Sequence, residues 1–268
     1  MSKKITFCVA KLYLFFKIMI AINIKNLTFG YDVPVLNNVN ITINDGEFVG
    51  IIGPNGAGKS TLIKCICNII ETKGSVEVFG KPKEDYTSKD LAKIISYVPQ
   101  SSDRVFNFTV KDYILMSRYP YTKSFASLGE IDYEACEEAM SVTGTKAYQN
   151  RLITTLSGGE RQKVAIASAM AQKGKIMLFD EPTTFLDPKH ISQVMKIVKR
   201  ANENATVLMV THELNTIFDC TRVIALKGGE IVFDDKPGAF FENRVAEEVF
   251  DTEFNYIEFE NKYFIYPK

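Results

Sequence analysis

EFVGIIGPNGAGKST, residues 47–61, is the stretch whose reading decides the fold. The first six residues are almost continuously apolar, as in a strand buried on both faces of a parallel sheet. Gly53-Pro54-Asn55-Gly56-Ala57-Gly58-Lys59-Ser60 then matches G-x-x-x-x-G-K-[ST]. Thr61 leads into a helical pattern, which predicts Leu62, Cys65, Ile66 and Ile69 on one face. Strand, glycine loop and helix in that order are the context a phosphate-binding loop requires. Glycines let backbone N–H groups wrap phosphate oxygens, and the helix N-terminus adds its positive end. Lys59 is then placed to reach the β- and γ-phosphates, and the Ser60 hydroxyl to bind Mg²⁺. A glycine-rich turn that binds nothing explains the glycines but neither the lysine nor the serine.

The segments on either side extend this reading. KIMLFDE (175–181) is a second buried strand, and it carries Asp180 and Glu181 at the C-terminal end where α/β sheets hold ligands. Asp180 fits the Mg²⁺-associated carboxylate of a phosphate-loop site. Gln100 in IISYVPQ and His212 in ATVLMVTHE each end a further apolar strand. Taken singly, each is an ordinary polar residue at a strand end. INIKNLTFGYD and VNITIND alternate in part, as strands of an exposed antiparallel sheet do. Residues 101–155 change character, with helical patterns at VKDYILMSRY and DYEACEEAMSVTG. Asp187 and Pro188 mark the N-cap and first turn of a helix over DPKHISQVMKIVKRANE. The tail FNYIEFENKYFIY reads as a hairpin turning at Glu260-Asn261. The pattern is therefore α/β: a nucleotide-binding core with a mostly helical insertion at about 101–155.

Lys+Arg and Asp+Glu are equal at 32 each, so no basic excess points to nucleic acid. Five scattered cysteines fit a reducing compartment. Cys65 and Cys67 have metal-like spacing, but on a helix they diverge by about 200° and read as buried apolar residues. Residues 1–19 form an apolar extension ahead of the domain at 20–268. A spanning helix needs about 20 apolar residues, and roughly 14 precede the first strand. Lys11 and Lys17 interrupt them, at about 2.5–3.5 kcal/mol each. A secretory signal lacks its cleavage site. The reading preferred here is that Met19 is the natural start and that the first 18 residues are a misassigned extension.

LSGGERQ (156–162) puts Gly158 and Gly159 in the first turn of a helix, where each glycine costs about 0.8–1 kcal/mol relative to alanine. Ser157 and Glu160 fit a capping box. That box leaves both glycines unexplained. A second GGE, at 228–230, lies between two short apolar runs and reads as a hairpin turn. In the first copy the bared N–H groups open a helix, which suits an anion.

With these motifs in this order, residues 20–268 resemble the ATP-binding subunit of an ABC transporter. The resemblance implies an α/β P-loop NTPase (RecA-like) core with an antiparallel β subdomain; LSGGE is then the signature of that family, and the helical insertion at about 101–160 its signature subdomain. The resemblance implies two subunits packed head to tail. ATP on one phosphate loop is closed over by Ser157, Gly158 and Gly159 of the other. It further implies that Tyr31 stacks on adenine and that Gln100 touches Mg²⁺ and the attacking water. Glu181 polarises that water, His212 meets the γ-phosphate, and the loop at Asp187 crosses the dimer interface. Phe185 is bulkier than expected in that loop.

TVKDYILMSRYPY (109–121) resembles the subgroup importing iron–siderophore, haem and cobalamin complexes, with Ser117 replacing a glycine. The terminal hairpin also suits that subgroup. The resemblance implies a homodimer lying peripherally on the cytoplasmic face of the inner membrane. The dimer would work on a separate integral-membrane permease and, indirectly, a substrate-binding protein. Residues 109–121 are expected at the permease interface, with Arg118 contributing to assembly. Importers of zinc, manganese or organic solutes are alternatives. So is a soluble ABC ATPase working on ribosomes or DNA, against which stand the single cassette and the neutral charge. A regulator without turnover is disfavoured by Glu181 and His212 together.

Overall fold

The first strands are β1 (Ile20–Gly30) and β2 (Pro34–Asn44), followed by β3 (Phe48–Ile52) and helix α1 (Lys59–Ile66). This is a computed structural model that describes residues 19–30, 33–100, 107–122, 127–259 and 262–268. Expectations for residues 1–18, Tyr31 and the turn at 260–261 lie outside these residues. The chain continues through β4 (Lys73–Val78), β5 (Lys81–Pro82), α2 (Ser88–Ala92), β6 (Ile95–Val98), α3 (Val110–Met116) and α4 (Glu130–Thr143). Next come α5 (Gly158–Ala171), β7 (Ile176–Asp180), α6 (Pro188–Asn202), β8 (Thr206–Val210), β9 (Arg222–Lys227) and β10 (Glu230–Asp235). Two short helices, α7 (Pro237–Glu242) and α8 (Val245–Phe250), precede the hairpin β11 (Phe254–Phe259) and β12 (Lys262–Pro267). No helix among the described residues is long and apolar enough to cross a membrane.

Among the described residues the central sheet has the order β10-β9-β3-β8-β7-β6. Strands β3, β6, β7, β8 and β9 run parallel, and β10 pairs antiparallel with β9 across Gly228-Gly229. Every residue of β3, β7 and β8 is buried, which is why these strands read as unbroken apolar runs. Their side chains alternate between two cores. Val49, Ile51, Leu178, Leu208 and Val210 face α1 and a second sheet, ordered β2-β1-β4-β5. Phe48, Met177, Phe179, Val207 and Met209 face α5 and α6. Each fully buried Leu, Ile or Phe contributes about 1.5–3 kcal/mol. Ile51 and Asp180 both align with Val210, so β3, β8 and β7 end level with one another. The residues just beyond those ends therefore meet.

Two expectations need correction. Helix α1 stops at Ile66, so Ile69 does not share its apolar face and is 60 % exposed. The break comes at Asn68, whose positive φ of 57° ends the helical path. Arg118 is not an interface residue either. Only 4 % of it is exposed; its Nε donates to Asp132 Oδ1 at 2.9 Å and its Nη1 to the Ala171 carbonyl at 2.8 Å. The guanidinium also lies 3.8 Å from the Tyr121 ring centre. It thus joins α4 to the last turn of α5, where a cation suits the exposed carbonyls. A carboxylate there would face Asp132 inside the protein and disturb folding, not assembly alone. Exposure in this segment falls instead on Tyr119 at 71 % and Met116 at 47 %.

Candidate functional site

The loop after β3 is shaped by close backbone approach. A Cβ on Gly53 would lie 2.1 Å from the Leu226 carbonyl oxygen, and one on Gly58 2.8 Å from that of Val35. Gly58 also has φ 97° and caps α1 without any side-chain bond, which leaves the first N–H groups of α1 directed into the loop. Lys59 is 5 % exposed and its Nζ donates to the carbonyls of Gly53 at 2.8 Å and Pro54 at 2.9 Å. Burial lowers its pKa, against the opposing pull of Glu181 and Asp180. The loop folds around its own lysine, holding the ammonium at the mouth of a cleft of roughly 870 Å³.

Two carboxylates stand across from it in different environments. Asp180 is 2 % exposed; Ser60 Oγ donates to its Oδ1 at 2.8 Å and the Tyr97 hydroxyl to its Oδ2 at 3.3 Å. Burial raises its pKa, and the two hydrogen bonds oppose that rise. Glu181 follows with φ 50°, a left-handed conformation costing about 1–3 kcal/mol in a residue other than glycine. The turn swings the Glu181 carboxylate out of the strand direction and into the cleft. Its Oε2 accepts from Gln100 Nε2 at 2.8 Å and Thr184 Oγ1 at 2.9 Å, and lies 3.3 Å from His212 Nδ1. Glu181 is thus a strained residue at the centre of a polar cluster.

One cleft thus brings together Gly53, Asn55, Gly56, Gly58, Lys59, Ser60, Thr61, Gln100, Glu181 and His212. Asp180 stands behind Ser60. Thr184, Phe185, Val35 and Phe250 also line the cleft. Sequence reasoning did not single out Thr184, Val35, Phe250 or, behind Asp180, Tyr97. A signal existed for Thr184, which lies one turn beyond Glu181 in EPTT. Tyr97 could be found only by knowing that β6 pairs with β7.

Ser157, Gly158 and Gly159 do not line this cleft. The capping box is present: Glu160 N donates to Ser157 Oγ at 3.3 Å and Ser157 N to Glu160 Oε2 at 2.8 Å. The two glycines differ. A Cβ on Gly159 would come 2.5 Å from His190 Cδ2, whereas one on Gly158 meets nothing within 4 Å. Gly159 is therefore needed inside the chain, so that α5 can lie against the His190 ring on α6. Only Gly158 remains a helical glycine with no reason within the chain. That ring is held by Asp187, which caps α6 by accepting from His190 N at 2.9 Å and stands 2.7 Å from His190 Nδ1. Gly159→Ala is expected to cost about 1–3 kcal/mol by overpacking. The melting midpoint should fall by about 2–4 °C per kcal/mol. Gly158→Ala should leave that midpoint unchanged or raised. Equal midpoints for the two variants in a thermal melt would refute the distinction.

Comparison with known proteins gives a consistent picture. The family model described as ABC transporter matches residues 36–184, more than half of the chain. The petrobactin import ATP-binding protein FpuC of Bacillus anthracis is 37 % identical over 237 residues, covering 87 % of each chain. The iron(3+)-hydroxamate import ATP-binding protein FhuC of Bacillus subtilis is 36 % identical over 219 residues, 80 % of this chain and 81 % of that one. Among solved structures, a dimeric ATP-binding cassette in a post-hydrolysis state with ADP and Pi superposes with a TM-score of 0.71. It is 31 % identical to this chain and spans 81 % of it and 98 % of its own length.

Proposed function

We propose a function from one premise: this chain belongs to the ABC transporter family. It is the ATP-binding and ATP-hydrolysing subunit of an importer, and it acts as a homodimer with a separate integral-membrane permease. It lies peripherally on the cytoplasmic face of the membrane. The solute is an iron chelate such as a siderophore or haem, or a cobalamin-like metal complex. The named import functions of the two relatives and the segment 109–121 support this class.

The observation that carries the reading is the gathering of Gln100, Thr184 and His212 on one oxygen of Glu181, opposite Lys59. The hard oxygens of Ser60 and Asp180 are a donor pair suited to Mg²⁺. MgATP, when bound, supplies the phosphoryl group and neutralises charge on its oxygens. The loop N–H groups and Lys59 bind the phosphates. Ser60 and Asp180 would hold the metal ion. Glu181 accepts a proton from water at its carboxylate, and Gln100 and His212 orient the groups around it. Ser157, Gly158 and Gly159 lie outside this cleft, and in this reading they serve the cleft of a second copy. The nucleotide is thereby shared between subunits, which makes dimer closure depend on it.

Co-purification with the permease tests the assignment, followed by ATPase assays with loaded binding proteins. Iron-chelate-loaded protein should stimulate hydrolysis. Tyr119→Asp, on the exposed part of the 109–121 segment, should weaken recovery of the permease about tenfold and spare ATP binding. Ribosome co-sedimentation without a membrane partner would overturn the transport reading. Undiminished recovery with Tyr119→Asp would remove the segment from the interface.

A further inference from the structure

The loop that carries His212 is short and open to solvent on one side. It leaves β8 at Thr211, whose N–H donates to the Ile51 carbonyl at 3.0 Å. It then turns into a single 3₁₀ segment, Leu214–Asp219. Local bonds hold the turn: Glu213 N donates to Thr211 Oγ1 at 3.0 Å, and Thr216 Oγ1 to the Glu213 carbonyl at 2.7 Å. Neither of these two local bonds ties the turn itself to a neighbouring element.

Two ties reach beyond the turn: Asp219 at its far end pairs with Lys199 of α6 at 2.6 Å, and the terminal hairpin holds its start, nearer His212. The side-chain amide of Asn215, three residues beyond His212, makes both bonds that a neighbouring strand would make. Its Nδ2 donates to the Ile265 carbonyl at 3.3 Å, and its Oδ1 accepts from Ile265 N at 3.1 Å. Ile265 sits on β12 opposite Tyr256, so Asn215 pairs with the free edge of the ribbon. Among the described residues these are the only hydrogen bonds between residues 211–219 and the hairpin. Below them Phe218 stacks on Phe241 at 4.4 Å and on Tyr263 at 6.1 Å. The hairpin also reaches the cleft wall by a second route, because Phe254 meets Phe250 edge-on at 6.3 Å and Phe250 lines the cleft.

We propose that the terminal hairpin braces the His212 loop and that Asn215 is the positioning residue that joins them. A paired amide on a strand edge restricts both sliding and rotation of the 3₁₀ turn, which a single bond does not. The turn in turn sets where the His212 imidazole stands relative to Glu181. The apolar stack supplies the adhesion, and the amide supplies the register. Asn215 is itself exposed, so the loss of its bonds leaves the core intact. This inference rests on the role proposed above for His212.

The test uses the full chain and four proteins: the parent, Asn215→Leu, Asn215→Gln and His212→Ala. Turnover is expressed per nucleotide-binding site, so that loss of folded protein is not counted as loss of rate. Leucine keeps the bulk of asparagine and loses the amide. It should lower kcat at least about fivefold, since loose positioning costs rate, while KM for ATP stays within about twofold. Glutamine carries the same amide on a longer stem and should recover at least about half of the parental kcat. A leucine variant with parental kcat would overturn the brace, as would a glutamine variant no better than leucine. If His212→Ala keeps parental kcat, the role of His212 falls and the brace with it. If His212→Ala is inactive while leucine is silent, the brace alone falls.

Discussion

Replacing Glu181 by glutamine is expected to slow ATP turnover by about 10²–10⁴-fold, the usual contribution of a positioned general base, while nucleotide binding is retained. Glutamine matches the parent side chain in size. Its carbonyl oxygen can accept from Gln100 and Thr184 as Oε2 does at 2.8 and 2.9 Å. The left-handed backbone at φ 50° is no harder for glutamine than for glutamate. The cleft should therefore keep its shape and lose only the carboxylate. Lys59 and the loop that wraps it do not touch the altered group and should bind ATP as before. On the proposal that nucleotide joins two subunits, its persistence in this variant should let an ATP-dependent dimer accumulate. Phosphate release measures the rate, and titration with a fluorescent ATP analogue measures binding. Turnover within about tenfold of the parent would move the base elsewhere.

The elements of this site differ in how far they could be read from sequence. The phosphate loop is contiguous, and its residues constrain one another at short range, so its strand, loop and helix were all legible. The ends of β3, β7 and β8 were also legible, because doubly buried strands read as apolar runs and their polar termini stand out; that these ends stand level follows only from the sheet register. What was not legible depends on tertiary distance. Gln100 and Glu181 are 81 positions apart, and only the pairing of β6 with β7 brings them together. Arg118 looked like a surface cation because its acidic partner lies 14 residues on and its carbonyl partner 53. Gly159 has a second reason to be glycine, the His190 ring beneath it, which nothing local reveals. In each case a side chain's environment was set by an element whose position no nearby residue encodes. Helix caps were read correctly for the opposite reason: Ser157 with Glu160, and Asp187 with His190, act within one turn.

Ser157 is expected to do more than cap α5. In the Glu181→Gln background, adding Ser157→Arg is expected to abolish the ATP-induced dimer while each monomer still binds nucleotide. Ser157 is exposed and lies outside the cleft of its own chain. A bulky side chain there cannot disturb Lys59, Ser60 or Asp180 of the same subunit. It must disturb whatever packs on the start of α5. Beside it Gly158 leaves open space, with no atom within 4 Å of where its Cβ would stand. That space suits a phosphate presented by another copy. Loss of the cap has its own cost, about 0.5–2 kcal/mol of helix stability, which a thermal melt measures separately. A lower melting point with an intact dimer would reduce Ser157 to a helix cap. Size-exclusion chromatography with ATP separates the outcomes. Elution of the double variant as a dimer would leave the start of α5 without a nucleotide partner, and the open space over Gly158 would need another explanation.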